Sequence, residues 1–226
     1  MHAKLPQVPA TATQGKDTQA RDWSWVEASV WTERMLAALG NGVTGGKWFS
    51  LIDKVYAPAT LRAAWGRVLR NRGSAGVDRQ SVEAFAAHAG RYLDELATAL
   101  RTDTYRPQAI KRVEIPKGPG QTRPLGIPTV KDRVVQTAAR MVLEPIFEVQ
   151  FCEHSYGFRP GRGSKDALRE VDALLQAGYC HVVDADLKSY FDTIPHAGLM
   201  ARVRERVAKR RLFTLTQAHA VACRSR

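Results

Sequence analysis

With 226 residues, 44% of them hydrophobic, the chain is too apolar to stay disordered and long enough for one sizeable core or two small ones. Thirty-four Lys and Arg against 22 Asp and Glu leave a formal charge of +12, which points to a polyanionic partner, nucleic acid ahead of an acidic membrane surface. No apolar run approaches the roughly 20 residues of a membrane-spanning helix, and Cys152, Cys180 and Cys223, never paired as C-x-x-C, indicate neither a disulfide framework nor a structural zinc site. Buried or incidental thiols are expected.

Residues 1–21 are rich in Pro, Thr, Gln and Ala and lack the apolar centre of a secretory signal, so they read as a flexible arm of an intracellular protein. From Asp22 the pattern is helical, with Trp23, Val26, Val30 and Leu36 to Leu39 on one face and Gly40-Asn41-Gly42 as the stop. Trp48, Leu51, Ile52 and Val55 predict a short second helix ended by Pro58. Leu61, Trp65, Val68 and Leu69 predict a third, whose other side carries Arg62, Arg67 and Arg70. Asn71 to Asp78 is a loop by its glycines, and a helix is expected from about Ser81 to Leu100 through Val82, Phe85, Leu93 and Leu96.

Ile110 to Ile115 alternates apolar and charged residues, and Leu125 to Pro128 offers a return strand across Lys117-Gly118-Pro119-Gly120, so a β-hairpin is predicted. A long helix from about Val130 to Phe151 should bury Val134, Val135, Ala138, Val142, Ile146 and Phe147, with Pro145 bending or dividing it. After a loop around Gly157 and Gly163, a helix from Ser164 to about Ala177 leads to a strand at His181 to Asp184. Pro195 then opens a helix running towards Ala208. Helices packed on one face of a mainly antiparallel sheet, an α+β arrangement, fit this order.

Several residue sets can carry chemistry. A strand sends alternate side chains to one face, so Asp184 and Asp186 should project together at the end of Val182-Val183, within reach of a divalent cation. Lys117 and Arg123 flank the hairpin turn as a point charge and a planar fork suited to phosphate; solvated turn residues are the plainer alternative. Arg159-Pro160-Gly161-Arg162-Gly163-Ser164-Lys165 is a basic glycine-containing loop opening a helix, without P-loop spacing. It reads either as a phosphate contact or as a helix start capped by Ser164. Phe191, five residues beyond Asp186, is either core or a ring placed to exclude a ribose 2′-hydroxyl. His154, His181 and His196 make no metal-ligand spacing.

Four blocks in order carry a family resemblance: Gly73 to Asp78, Arg123 to Arg133, Glu153 to Gly161, and Asp186 to His196. Together they resemble the bacterial group II intron-encoded reverse transcriptase and maturase family. The resemblance implies a right-hand polymerase, with an arm at 1–21, a helical N-terminal extension at 22–105, fingers at 106–178, the start of the palm at 179–208 and an atypical basic tail at 209–226. Asp186 matches the first catalytic carboxylate, a Mg²⁺ ligand. Lys117 and Arg123 match the residues that contact the incoming deoxynucleoside triphosphate, and Phe191 matches the gate against ribonucleotides. The loop with Arg72, Gly73 and Ser74 matches the segment covering the template, and Arg159, Arg162 and Lys165 lie on the nucleic-acid side. Such enzymes copy RNA into DNA from a DNA primer and assist splicing of their own intron RNA, in the cytoplasm and bound to nucleic acid. The family's Tyr-x-Asp-Asp turn does not occur in these 226 residues, and after Ala208 the likeness ceases. The expectation is a chain shortened by a frameshift or early stop and inactive alone; the alternatives are a non-catalytic intron-RNA-binding module and a pseudogene remnant.

Overall fold

A computed structural model describes residues 22–43, 46–187, 190–208 and 215. The expected arm at 1–21 and nearly all of the tail at 209–226 lie outside the described residues. In chain order the elements are α1 (Glu33–Asn41), α2 (Leu51–Val55), α3 (Pro58–Asn71), α4 (Val82–Ala86), α5 (Ala89–Arg101), β1 (Lys111–Gly118), β2 (Gln121–Ile127), α6 (Val130–Glu148), α7 (Ser164–Gln176), α8 (Tyr190–Thr193) and α9 (His196–Arg206).

The longest helix organises the rest. Val130, Val134, Ala138, Val142 and Ile146 recur at helical spacing along α6, and all are buried. Against that stripe lies α3, with Leu61, Ala64 and Val68, while α2, α4 and α5 close the core with Val55, Phe85 and Leu96. Each such side chain, fully buried, contributes about 1.5–3 kcal/mol. Pro58 is the first residue of α3, where its missing N–H costs nothing, so one proline both ends α2 and starts its successor. The core crosses residue 105, joining helices of the extension to the helix behind the hairpin.

Several local expectations need correction. The first helix does not start at Asp22: residues 22–32 form turns, held by Asp22 accepting from the Ser24 N–H and hydroxyl, and α1 begins only after extended Thr32. The helix expected over 81–100 is divided at Ala87–His88, where His88 takes φ −132°, ψ 25°. Conversely, Pro145 does not divide α6, which runs unbroken from Val130 to Glu148. Proline removes the N–H that would serve the carbonyl four residues earlier. That carbonyl, on Met141, instead accepts from the buried indole Nε1–H of Trp31 at 3.1 Å. Cys152 and Cys180 are exposed free thiols, the second of the two alternatives expected for them.

The hairpin forms as the alternation predicts, antiparallel with Lys111 opposite Ile127 and Gly118 opposite Gln121. Gly120 sits at φ 69° in the turn, where a side chain would be strained. Val113 and Ile115 are half-buried and their neighbours exposed. No hairpin residue joins the buried core, so the helices pack on one another and the sheet stands off them. The strand expected at His181 to Asp184 is absent. A strand exists through its partner, and among the described residues the hairpin is the whole sheet, which leaves Val182 and Val183 unpaired and 81% and 93% exposed. Val207 at the end of α9 returns to bridge Trp48, whose N–H donates to the Arg206 carbonyl at 2.7 Å.

Candidate nucleic-acid interface

The turn end of the hairpin carries the first pair of candidate residues. Arg123 lies opposite Ile115, and Lys117 occupies the irregular step between the pairs Pro116–Thr122 and Gly118–Gln121. Lys117 is thus next to the last pair before the turn and Arg123 two rungs from it, and both are exposed. Neither side chain has a hydrogen-bond or ion-pair partner among the described residues, so both charges face solvent. The root of the hairpin is fixed differently. Asp132, 2% exposed at the start of α6, accepts from the Tyr105 hydroxyl, from Thr129 Oγ1 at 2.7 Å and from the Gln108 N–H at 3.2 Å. A buried carboxylate needs such donors to be tolerated. Here they tie the chain entering β1 to the chain leaving β2. Burial, and then the Asp132 charge, push the Tyr105 phenol far above its ordinary value of 10.0.

The loop at 72–78 is held against the same end of α6. Arg133 Nη1 donates to the Arg72 carbonyl at 3.1 Å and Nη2 to the Ser74 carbonyl at 2.7 Å. Gly73 lies between them at φ 106°, and a Cβ there would stand 2.9 Å from Arg133 Nη1. Gly76 is buried, and a Cβ on it would meet Thr129 Cα at 2.7 Å and Thr129 N at 2.8 Å. Gly76 is thus required by close approach to backbone, and Gly73 by its positive φ. The side chains of Arg72 and Ser74 are left exposed. Burial lowers the basicity of Arg133, with the Asp78 carboxylate acting in the opposite sense.

The third element is the 152–163 loop at the other end of α6. Its most basic position in appearance, Arg159, is turned inward and 9% exposed. Arg159 Nη2 lies 2.7 Å from Glu148 Oε1, Nε also donates to that carboxylate, and Nη1 donates to the carbonyls of Cys152 at 2.9 Å and Ser155 at 3.1 Å. Arg162 donates to the Glu153 carbonyl and lies over the Tyr156 ring. Lys165 is exposed at the start of α7. Ser164 does not cap that helix: the cap is Gly163, whose N–H donates to the Asp166 carboxylate at 2.9 Å. The apolar face of α7, with Leu168, Val171 and Leu175, is exposed.

Asp184 and Asp186 lie in the unpaired segment after Val183, both exposed. Phe191 belongs to α8, and its side chain falls outside the described residues, as does that of Asp192. Carboxylate oxygens suit Mg²⁺ in kind, since that ion is commonly held by one or two carboxylates together with substrate phosphates. In number the donor set is short: among the described residues no three His, Cys, Asp or Glu side chains converge. The structure therefore brings the 72–78 loop and the hairpin root together on α6 and places the basic loop at its far end. The charge pattern gave no signal for Asp132 and Arg133 as anchors, although both fall within the Arg123 to Arg133 block. Among the described residues no helix is long and apolar enough to cross a membrane.

Comparison with known proteins covers three of the four blocks with one family match, and that match runs past Ala208, where the likeness was expected to cease. Residues 115–222 match the family model described as reverse transcriptase (RNA-dependent DNA polymerase). The chain is 39% identical over 173 residues to protein YkfC of Escherichia coli, covering 73% of this chain and 45% of that protein. It is 30% identical over 161 residues to the group II intron-encoded protein LtrA of Lactococcus lactis subsp. cremoris, covering 70% and 26%. It is 32% identical over 91 residues to the mitochondrial nuclear intron maturase 1 of Arabidopsis thaliana, covering 40% and 13%. The chain spans less than half the length of each of these relatives.

Proposed function

Because the chain belongs to the group II intron-encoded reverse transcriptase and maturase family, we propose that it forms the nucleotide- and template-binding part of an RNA-directed DNA polymerase that also assists splicing of intron RNA. The observation that carries this reading is the free positive pair at the hairpin tip, Lys117 and Arg123, on a sheet that stands clear of the core. Lys117 neutralises phosphate charge as a point donor, and the Arg123 fork orients the triphosphate through paired hydrogen bonds. The 72–78 loop lies over the template strand and fixes its path through Arg72 and Ser74. Phe191 restricts the space beside the sugar and so favours deoxynucleotides. Asp186 would be one carboxylate of a Mg²⁺ site, and the ion would supply charge stabilisation at phosphoryl oxygens there.

In-line phosphoryl transfer between two metal ions needs more carboxylates than Asp186. These 226 residues are accordingly proposed to bind template, primer and deoxynucleotide without extending the primer alone. A second reading, an RNA-binding module without catalysis, is favoured by one feature: the hairpin root and the 72–78 loop are anchored on α6, and the segment carrying Asp186 takes no part in that anchoring. The test is binding of an RNA template annealed to a DNA primer across a salt series, followed by primer extension with Mg²⁺ and deoxynucleotides. Affinity should fall by roughly 0.7–0.9 logarithmic units per tenfold salt for each phosphate neutralised. No measurable affinity at low salt, or affinity indifferent to salt, overturns both readings. Extension that disappears in Asp186→Asn overturns the expectation of binding without polymerisation.

A further inference from the structure

We propose that Arg133 is a positioning residue for nucleic-acid binding, acting by clamping the 72–78 loop onto the first turn of α6. The inference rests on the reading of that loop as a template contact. Four observations carry it. Two donors of one guanidinium engage two separate peptide carbonyls, those of Arg72 and Ser74, across 61 and 59 residues of sequence. The intervening Gly73 leaves the space that the guanidinium occupies, since a Cβ would stand 2.9 Å from Nη1. A second fixed point lies one turn earlier, where Gly76 touches the backbone of Thr129. Finally, Arg133 Nε is buried without an acceptor among the described residues, so the side chain is placed for the two carbonyls at the expense of its third hydrogen bond.

The peptides on either side of Gly73 and Ala75 are trans. In a trans peptide the N–H points opposite to the C=O. Carbonyls 72 and 74 aim at Arg133, so the N–H groups of Gly73 and Ala75 aim away from it. The guanidinium thereby fixes the orientation of the loop's outer donors, with one N–H of each Nη engaged. Two fixed points on a rigid helix also set the height of the loop relative to the hairpin, whose root is tied to Asp132, the adjacent residue.

The experiment compares the 226-residue chain with Arg133→Met, Arg133→Lys, Arg72→Ala and the Arg72→Ala/Arg133→Met double variant. Two quantities are read: backbone order at residues 73–78 from amide ¹⁵N relaxation, and affinity for a fluorescent template–primer with an RNA overhang. Arg133→Met should lower the loop's order parameters from about 0.85 to below about 0.6, leave those of α3 and α6 unchanged, and weaken binding by about tenfold. Arg133→Lys, with one ammonium for two carbonyls, should recover part of each effect. Arg72→Ala should weaken binding in the parent and add little once the clamp is gone. Should Arg133→Met fail to fold, Arg133→Lys keeps the charge and should still show a smaller loss of loop order and of affinity. Unchanged loop order in Arg133→Met overturns the clamp. Losses that multiply fully in the double variant overturn positioning in favour of direct contact by Arg133. Lower loop order with no change of affinity in either Arg133→Met or Arg72→Ala overturns the template-contact reading itself, a result distinct from the other two.

Discussion

Trp31 and Pro145 form a compensating pair, and the dependence between them can be measured. Trp31→Phe removes the indole N–H that serves the Met141 carbonyl, in a site where the tryptophan is 1% exposed. The carbonyl is then buried without a donor, because Pro145 cannot supply the helical one, at a cost of about 1–3 kcal/mol. The smaller ring also loses apolar burial and its edge contact with Trp48, now 5.1 Å between centroids, for roughly 1 kcal/mol more. In a Pro145→Ala background the restored backbone N–H reaches the same carbonyl, so the first term disappears while the second remains. Trp31→Phe should therefore cost about 2–4 kcal/mol in the parent and about 1 kcal/mol or more less in Pro145→Ala. Urea unfolding of the four proteins, followed by far-UV circular dichroism, gives the coupling directly. Costs that add within about 0.5 kcal/mol would show that Trp31 does not replace the missing helical donor.

The hairpin tip should behave in the opposite way. Lys117→Ala and Arg123→Ala alter exposed, unpartnered side chains and should leave the urea midpoint unchanged, while each reduces the salt slope of template–primer binding by about one unit; a shifted midpoint with an unchanged slope would assign these residues to folding. Arg159→Met leaves Glu148 buried without its ion pair and should cost about 3–5 kcal/mol, read as a lowered melting temperature. A cost below about 1 kcal/mol would mean that the pair is solvated in practice. Tyr105 bears on pH dependence. Its phenol keeps its proton in the folded state well beyond the value near 10 at which the unfolded chain loses it. The stability it contributes is fully present below about pH 10 and falls above that by about 1.4 kcal/mol per unit. Denaturant midpoints between pH 9 and 11 should therefore decline more steeply in the parent than in Tyr105→Phe, and equal slopes would refute the assignment.

Legibility in the sequence follows the range of the interaction that decides each element. The hairpin is readable because alternation from Ile110 to Ile115 and the turn at Pro119-Gly120 are local properties, and α3, α6 and α7 because a stripe at 3.6-residue spacing is local too. The segment at Val182 and Val183 has strand composition, yet a strand is settled by the edge it joins, and no sequence window contains that edge. Arg159 misleads for a similar reason. In sequence it is one basic residue among several beside glycines, and only folding shows that Glu148 and two carbonyls use its donors. Asp132 can be read as part of a block, but its burial beneath Tyr105 depends on a contact 27 residues away. Pro145 reads as a bend or break because the indole that makes it tolerable lies 110 residues from its acceptor.

These contacts join three of the four blocks through one helix. The blocks at 73–78, 123–133 and 153–161 are separated in sequence, yet each is fastened to α6: the first through Arg133 and Thr129, the second by running into the helix through Asp132, and the third through Glu148. The helix is thus a single ruler whose 19 residues set the distance between the 72–78 loop at one end and the basic loop at the other, about 28 Å at 1.5 Å per residue. A change in its buried stripe, at Val134 or Val142, would shift both loops without touching either. A perturbation of α6 should therefore displace both loops together, and the nucleic-acid binding proposed for them should weaken with it.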